Sequence, residues 1–238
     1  MRRCWKGNAC WQWASAVVAS TAAASSVTSR RRWSLASGIR TSAGPSATTW
    51  AGAAADMPDL KASWDFLERS DLVADAAQVR AAIERLAGEI VAKLADRYPL
   101  VLVVMGGAVV FAGQLLPLLR MPLDLDYIHA TRYGAATSGG AIDWRIAPAA
   151  GVRGRTVLVL DDILDGGHTM AAIRERVLGQ GAASVLCAVL VEKVLPQAKP
   201  VVADFVGLRI PDRFVFGCGM DAKGLWRNLP EIRAMRDA

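Results

Sequence analysis

The sequence predicts an α/β domain built on a doubly wound, mostly parallel β-sheet. Short apolar runs rich in branched residues recur between residues 100 and 217, and segments with helical spacing separate several of them. Runs that are apolar on both faces are typical of strands buried inside a parallel sheet. One such run, Thr156 to Leu160, leads into an acidic and glycine-rich stretch and then into a helical segment. This alternation favours a single α/β domain.

The first predicted element is an amphipathic helix between Asp75 and Tyr98. Apolar residues recur there at helical spacing, and charged residues occupy the other positions. The apolar face comprises Val79, Ile83, Leu86, Ile90, Val91 and Leu94. A helix with one apolar face is expected to cover a sheet.

The segment after Pro99 predicts a strand, a tight turn and a second helix. The strand is LVLVVM, residues 100–105, the turn is Gly106-Gly107, and residues 108–120 favour a helix despite Pro117. Further strands are predicted in the apolar runs that follow. These runs are residues 123–130, 156–160, 185–191, 204–210 and 214–217.

A stretch from Tyr133 to Ile142 interrupts this rhythm. It is rich in Gly, Ser, Thr and Ala and lacks the periodicity of a core element, which predicts a mobile surface loop. A mobile loop near the strand ends can close over substrates as a lid. A plain linker fits the same composition, so both interpretations stay open.

The nine residues DDILDGGHT, 161–169, carry the clearest chemical signal. Acids at the end of a buried strand would face the crevice where doubly wound sheets bind ligands. Gly166 and Gly167 allow the backbone to turn its N–H groups inward, and Thr169 offers a hydroxyl at a helix start that favours a phosphate. The stretch predicts a site for a phosphorylated sugar, and the alternative is an ordinary acidic turn. No G-x-G-x-x-G or G-x-x-x-x-G-K-[ST] pattern occurs, which argues against a nucleotide-binding Rossmann protein and against a P-loop protein.

The positive charge of the chain belongs to its first part. The chain of 238 residues has 28 basic and 22 acidic residues, and seven of the basic residues lie before Asp56, where no acid occurs. The remainder has 21 basic and 22 acidic residues and is nearly neutral. This distribution argues against nucleic acid as a partner. No apolar stretch is long enough to span a membrane.

Residues 1–56 are interpreted as a disordered extension or as the product of a misassigned start, with translation beginning at Met57. A transit peptide or a secretory signal is the alternative, because the segment is basic, Ser-rich and free of acids. Residues 57–238 are expected to form the domain, with 53% hydrophobic residues overall as material for its core. The four cysteines lack metal-ligand spacing and imply no disulfide framework, which suits the cytoplasm.

Several segments in order resemble the hypoxanthine-guanine phosphoribosyltransferases. DDILDGGHT resembles the signature of enzymes that use 5-phosphoribosyl 1-pyrophosphate, and MGG, TRYG, VEKVLP, FVGLRIPDRFVFGCGMD and LWRNLP resemble other segments of the family. The resemblance covers about residues 65–233. It implies the type I phosphoribosyltransferase fold, which is Rossmann-like, with a mobile lid loop and a small C-terminal hood. It also implies purine salvage, with 5-phosphoribosyl 1-pyrophosphate and a 6-oxopurine as substrates and Mg²⁺ as cofactor.

The resemblance assigns a role to each matching residue. Asp161 and Asp162 would engage the ribose hydroxyls and the metal, and Asp165 would accept a proton at N7 of the purine. Lys193 would donate to the 6-oxo group, which selects oxygen over the amino group of adenine. The remaining substrate contacts would come from Met105, Gly106, Arg132, Tyr133, Gly166, Gly167, His168, Thr169, Phe214, Val215 and Arg227, and Asp221 would bind Mg²⁺.

Within these contacts, Phe214 would stack on the base and the main chain of Val215 would read its Watson–Crick edge. Arg227 would bind the pyrophosphate with a planar, permanently charged fork. Taken one by one, Lys193 also fits a surface lysine, Phe214 a core residue and Asp221 a loop acid. His129 and His168 are not expected to act as nucleophiles, because the implied mechanism needs no covalent intermediate.

The sequence departs from the family pattern at three positions. Gly166 stands where Thr or Ser is usual, Arg132 where a serine is frequent, and Met105 where a polar residue is usual. A nucleotide-sensing regulator of the same fold and a xanthine-preferring or adenine-preferring enzyme are the alternative functions. The resemblance also implies a homodimer or homotetramer, without choosing between them.

Overall fold

A computed structural model of the chain describes residues 59–132, 142–146 and 151–236. Its helices and strands follow one another along most of these ranges. In chain order they are α1 Leu60–Glu68, β1 Ser70–Ala74, α2 Ala76–Leu94, β2 Leu100–Met105, α3 Val109–Leu115, a 3₁₀ turn Leu116–Leu118, β3 Asp124–Arg132, β4 Ile142–Ile146, β5 Thr156–Leu164, α4 His168–Gly179, β6 Ser184–Val194, β7 Phe205–Pro211, β8 Val215–Phe216 and β9 Ile232–Met235.

The main sheet has six strands in the order β4-β3-β2-β5-β6-β7. Strands β3, β2, β5, β6 and β7 are parallel, and β4 pairs antiparallel with β3. The chain adds strands on one side of β2 and then, from β5 onward, on the other. The predicted doubly wound sheet is therefore confirmed, and a crevice is expected beyond the carboxyl ends of β2 and β5.

The core lies on both faces of this sheet. Leu158, Val159 and Leu160 in β5 are fully buried, as expected for a central strand. Helix α2 begins at a capping box formed by Asp75 and Gln78, and most of its predicted apolar face is buried. It packs on β7, where the absence of a side chain at Gly207 leaves room for Leu86. The helix follows the predicted pattern but ends at Leu94 rather than at the predicted Tyr98.

Several predicted boundaries were wrong, among them the end of β6, which was predicted at Val191 and lies at Val194. The helix over residues 108–120 ends as an α-helix at Leu115 and continues only as a 3₁₀ turn that contains Pro117, because proline cannot donate the backbone hydrogen bond of a helix interior. Strand β5 does not end at Leu160 but extends to Leu164. Asp161, Ile163 and Leu164 pair with β6, so polar residues there belong to the strand itself.

The predicted small hood is confirmed in a broader form. It is a three-stranded antiparallel sheet in the order β1-β9-β8. Residues 214–217 were predicted as one more strand of the α/β series, but Val215 and Phe216 pair with β9 in the hood. Strand β1, far away in sequence, completes this sheet, and α1 contacts it through Phe66, whose ring lies 5.2 Å from the ring of Phe216.

Two expectations concern regions that the structure covers only in part. Residues 133–141 of the predicted lid, including Tyr133, lie outside the described residues, as do residues 1–58. The only part of the lid that is described is Ile142, where β4 begins. Across the described ranges, no helix has both the length and the apolar character needed to cross a bilayer.

Candidate active site

A cavity of about 480 Å³ opens at the carboxyl edge of the main sheet. It lies beyond the ends of the neighbouring strands β2 and β5, on either side of which the chain adds further strands, and this is the expected place for a ligand in a doubly wound sheet. Ten of the predicted site residues line it: Met105, Gly106, Asp161, Asp162, Asp165, Gly166, Gly167, His168, Thr169 and Arg227.

Asp161 and Asp162 bring two carboxylates into the buried floor of this cavity. Asp161 is 9% exposed. Its Oδ1 accepts the backbone N–H of Asp162 at 3.0 Å, and Oδ1 of Asp162 accepts the N–H of Ile163 at 2.8 Å. Burial, and next the charge of Asp162, raises the pKa of Asp161 well above its usual range. Burial also raises the pKa of Asp162, against the opposing effect of a hydrogen bond with Asp161. The pair therefore favours ligands that bring hydroxyl donors or positive charge.

The loop after β5 has the form expected of a phosphate site. Residues 165–167 form a bend, and α4 begins at His168 with no side chain capping its first N–H groups. Gly167 has a φ of +79°, which glycine adopts without strain. The free N–H groups and the helix dipole favour an anion at this end of α4.

The turn after β2 lies against the acids. The peptide bond between Met105 and Gly106 is cis. A Cβ on Gly107 would lie 2.0 Å from Oδ2 of Asp162, so only glycine leaves room for this carboxylate in its observed position. The turn and the acidic pair therefore share one wall of the cavity.

Lys193 and Asp165 form an ion pair. The Nζ of Lys193 lies 3.0 Å from Oδ2 of Asp165 and 3.4 Å from Oδ1 of Asp212. The Lys193 side chain is 11% exposed, whereas that of Asp165 is 56% exposed. An ammonium buried between two carboxylates is not a surface lysine, so that alternative for Lys193 is wrong. The pair places a donor and an acceptor side by side.

Phe214 and Val215 lie at the start of the hood. Phe214 is 52% exposed, so the alternative that it is a core residue is wrong. Val215 is buried and pairs with Ala234 of β9. An exposed aromatic ring two residues after Asp212, which itself contacts Lys193, is free to stack on a flat ligand.

Arg227 is oriented by its neighbours in the hood. Its Nη1 donates to the carbonyl of Gly219 at 2.6 Å, and its Nη2 donates to Oδ1 of Asp221 at 2.5 Å. Oδ2 of Asp221 accepts the N–H of Gly224 at 2.6 Å. Asp221 thus contacts Arg227, which lines the cavity, but does not line the cavity itself.

Two of the predicted contacts are not described fully. Arg132 ends β3, but its side chain is outside the described part of the chain, and so is all of Tyr133. Their roles stay predictions.

Besides Asp212, the structure brings two residues to the site that were not predicted to act there. His129 lies in β3, pairs in register with Met105 and lines the cavity. Its position near the end of a parallel strand next to β2 was a usable signal. Lys199 contacts the backbone of both Leu164 and Lys193. No sequence motif distinguishes this lysine from others.

The sequence profile of the phosphoribosyl transferase domain matches residues 70–223, which is more than half of the chain. The hypoxanthine-guanine phosphoribosyltransferase of Bacillus subtilis (strain 168) is 30% identical over 162 residues, which cover 68% of this chain and 90% of that protein. The chain belongs to the phosphoribosyltransferase family. As such it is a pentosyltransferase.

Other relatives of this phosphoribosyltransferase carry similar names. The hypoxanthine-guanine phosphoribosyltransferase of Streptococcus pneumoniae (strain ATCC BAA-255 / R6) is 28% identical over 161 residues, covering 67% of this chain and 89% of that protein. Among solved structures, a mutant hypoxanthine phosphoribosyltransferase from Trypanosoma cruzi in a ternary substrates complex superposes with a TM-score of 0.65 at 28% identity, covering 71% of this chain and 97% of that one. A hypoxanthine-guanine phosphoribosyltransferase from Bacillus anthracis superposes with a TM-score of 0.62 at 26% identity, covering 70% and 98%. The fold of these enzymes is thus the fold of this chain.

Proposed function

We propose that this phosphoribosyltransferase acts in purine salvage. It transfers the 5-phosphoribosyl group from 5-phosphoribosyl 1-pyrophosphate to N9 of hypoxanthine, and also of guanine. The products are IMP or GMP and pyrophosphate. The names of its relatives support this substrate class.

The observation that carries the proposal is the pair formed by Lys193 and Asp165. A 6-oxopurine has an acceptor, O6, next to a donor, N7–H, on one edge. The ammonium of Lys193 is a donor only and the carboxylate of Asp165 is an acceptor, and they lie 3.0 Å apart. The pair is therefore complementary to this edge, whereas the amino group of adenine would meet a second donor.

The cavity at the ends of β2 and β5, which Asp165 lines and Lys193 does not, suits the sugar substrate. The loop of Gly166, Gly167 and His168 with Thr169 binds the 5′-phosphate through N–H groups at the start of α4. Asp161 and Asp162 accept the hydroxyls of the ribose. Arg227 and the turn Met105-Gly106 bind the pyrophosphate.

The reaction needs no covalent intermediate with the protein. Asp165 accepts the N7 proton, the N9–C1′ bond forms, and the bond from C1′ to the pyrophosphate oxygen breaks. Positive charge that develops on the ribose is stabilised by the carboxylates of Asp161 and Asp162. Phe214 holds the base by stacking, and the main chain of Val215 contacts its Watson–Crick edge.

The residues present fit Mg²⁺. No cluster of three or more ligating side chains occurs in residues 59–132, 142–146 and 151–236. Mg²⁺ commonly binds through one or two carboxylates together with waters and substrate phosphates. Burial raises the pKa values of Asp161 and Asp162, so a bound cation would stabilise the charged forms of these two carboxylates. With Asp221 as a further ligand, bound Mg²⁺ would neutralise charge on the departing pyrophosphate.

We further propose a homodimer or homotetramer in the cytoplasm, with residues 1–56 as an extension of the catalytic domain, 57–238. Small molecules are its partners, and neither nucleic acid nor a membrane is among them. Cys187 and Cys218 are buried free thiols, which fits a reducing compartment. Burial raises the pKa of the Cys187 thiol to about 12.

The proposal is tested by steady-state assays of the full chain with 5-phosphoribosyl 1-pyrophosphate, Mg²⁺ and each of hypoxanthine, guanine, xanthine and adenine. Hypoxanthine and guanine are expected to react. Asp165→Asn should lower kcat about 100-fold or more. Asp212→Asn is the matched control, because it removes the other carboxylate next to Lys193 without touching N7.

Two results would contradict the proposal. A preference for xanthine would support the xanthine enzyme, and binding of the sugar pyrophosphate without turnover of any base would support a nucleotide-sensing regulator. A chain that begins at Met57, assayed in parallel, tests whether the first 56 residues are dispensable.

A further inference from the structure

Lys199 joins the ends of the two strands that carry the base-binding pair. Its Nζ donates to the carbonyl of Leu164 at 2.9 Å and to the carbonyl of Lys193 at 2.6 Å. Leu164 is the last residue of β5 and directly precedes Asp165, and Lys193 lies one residue before the end of β6. One ammonium therefore contacts the backbone beside both members of the pair.

This contact begins where the pairing of β5 with β6 ends. The last paired residues of these strands are Leu164 and Glu192, so the ammonium links the two strands at the point where their backbone pairing ends. An ammonium has three donors, and here the third faces Oε1 of Glu192 at 3.6 Å. The Lys199 side chain is 10% exposed. Its charge is thus buried but surrounded by acceptors. These contacts offset the free-energy cost of removing the ammonium from water.

The same residue also supports the phosphate loop. A Cβ on Gly167 would lie 3.3 Å from Cβ of Lys199 and 3.4 Å from Cγ1 of Val201, so this segment packs directly beneath Gly167. Lys199 consequently contacts the strand ends that carry the base-binding pair and also packs beside Gly167 of the phosphate loop.

We infer that Lys199 is a positioning residue, which fixes the spacing between Asp165 and Lys193 by holding the carbonyls of Leu164 and Lys193. This inference rests on the proposed function, since it assigns Asp165 and Lys193 to the purine. Its ammonium faces these two carbonyls and Glu192, so we expect it to make no contact with substrate. Small displacements of reacting groups lower rates strongly, so a residue of this kind affects catalysis without taking part in it.

The test compares Lys199→Met, Lys199→Arg and Lys93→Met in the full chain. Lys199→Met keeps most of the unbranched side chain and removes the donors, and Lys199→Arg keeps charge and donors. Lys93→Met is the control for the loss of a lysine outside the site, because the ammonium of Lys93 faces Asp204, at 3.7 Å, and the ring of Phe205, away from the cavity lining. The readouts are kcat and KM for hypoxanthine and for 5-phosphoribosyl 1-pyrophosphate, together with the melting temperature.

We expect Lys199→Met to lower kcat/KM for hypoxanthine by about 10- to 100-fold, with part of the loss in KM for the base. Lys199→Arg should recover most of this loss, and Lys93→Met should stay within about twofold of wild type. The inference is wrong if Lys199→Met retains wild-type kinetics, or if its kinetic loss follows the melting temperature and Lys199→Arg restores nothing. An inactive wild-type protein would instead overturn the proposed function, and with it the positioning role.

Discussion

Gly219 packs directly against the carbonyl oxygen of Gly107. A Cβ on Gly219 would lie 1.9 Å from this oxygen, and Gly219 has a φ of +105°. The contact joins the hood to the turn after β2, and the carbonyl of Gly219 also accepts from Arg227. The position of Arg227 over the cavity therefore depends on a residue without a side chain.

Gly219→Ala is expected to destabilise the protein by about 2 kcal/mol or more, because a backbone carbonyl cannot move aside as a side chain can. It should also raise KM for 5-phosphoribosyl 1-pyrophosphate through displacement of Arg227. Gly224→Ala is the control, since Gly224 has a φ of +82° but a Cβ added there would meet nothing within 4 Å. Chemical denaturation of both variants measures the difference, and equal losses would show that backbone strain alone is responsible.

Lys193→Gln should reduce the discrimination between hypoxanthine and adenine. The loss of a charged hydrogen bond to O6 is expected to lower kcat/KM for hypoxanthine by about 10- to 100-fold. The glutamine amide can both donate and accept, so adenine should be affected less. Competition assays with the two bases give the ratio of their kcat/KM values, and an unchanged ratio would place the 6-position of the base away from Lys193.

Asp161→Asn should stabilise the protein without ligands at neutral pH. The pKa of Asp161 is raised in the folded state by burial and by Asp162, so the stability it contributes is present at low pH and is lost as the pH rises through the raised pKa. The difference in melting temperature between variant and wild type should therefore grow from about pH 4, near the ordinary pKa of an aspartate, to neutral pH.

Asp71→Asn should change the stability of the protein in the opposite direction in the same experiment. Hydrogen bonds first from Arg236 and then from Arg213 lower the pKa of Asp71. Its contribution is present above the ordinary pKa of aspartate and is lost as the pH falls, so this substitution should destabilise the protein at neutral pH. Parallel shifts for the two variants would contradict the assignment of burial as the cause at Asp161.

His129→Gln and His168→Gln should each retain activity within about tenfold of wild type, because neither imidazole forms a bond to the sugar in the proposed reaction. Loss of a true nucleophile typically lowers kcat by on the order of 10⁴-fold or more. Single-turnover kinetics of both variants distinguish the two cases. A loss of the larger size at His129, which lines the cavity, would require a covalent mechanism.

Local sequence patterns were sufficient to predict an element when the pattern lies within one continuous segment of the chain. The run at residues 100–105 forms β2 with the predicted bounds, since a strand buried on both faces must be apolar throughout. The stretch 161–169 was recognised for a similar reason, because its acids, glycines and helix start follow one another in the chain. The end of β5 was misplaced because apolar content, rather than pairing with β6, set the predicted boundary.

The sequence by itself thus predicted the α/β class, which the structure confirms, and a phosphate-binding loop, and its resemblance to a known family pointed to Lys193 and Asp165 as candidate site residues. Only the tertiary structure decided that these two form an ion pair, that β1 completes the hood with β9, and that Lys199 holds Leu164 and Lys193 together. The reason is physical: periodicity records the burial of neighbouring residues, whereas most of these contacts join residues many positions apart and depend on how strands are ordered in the sheet.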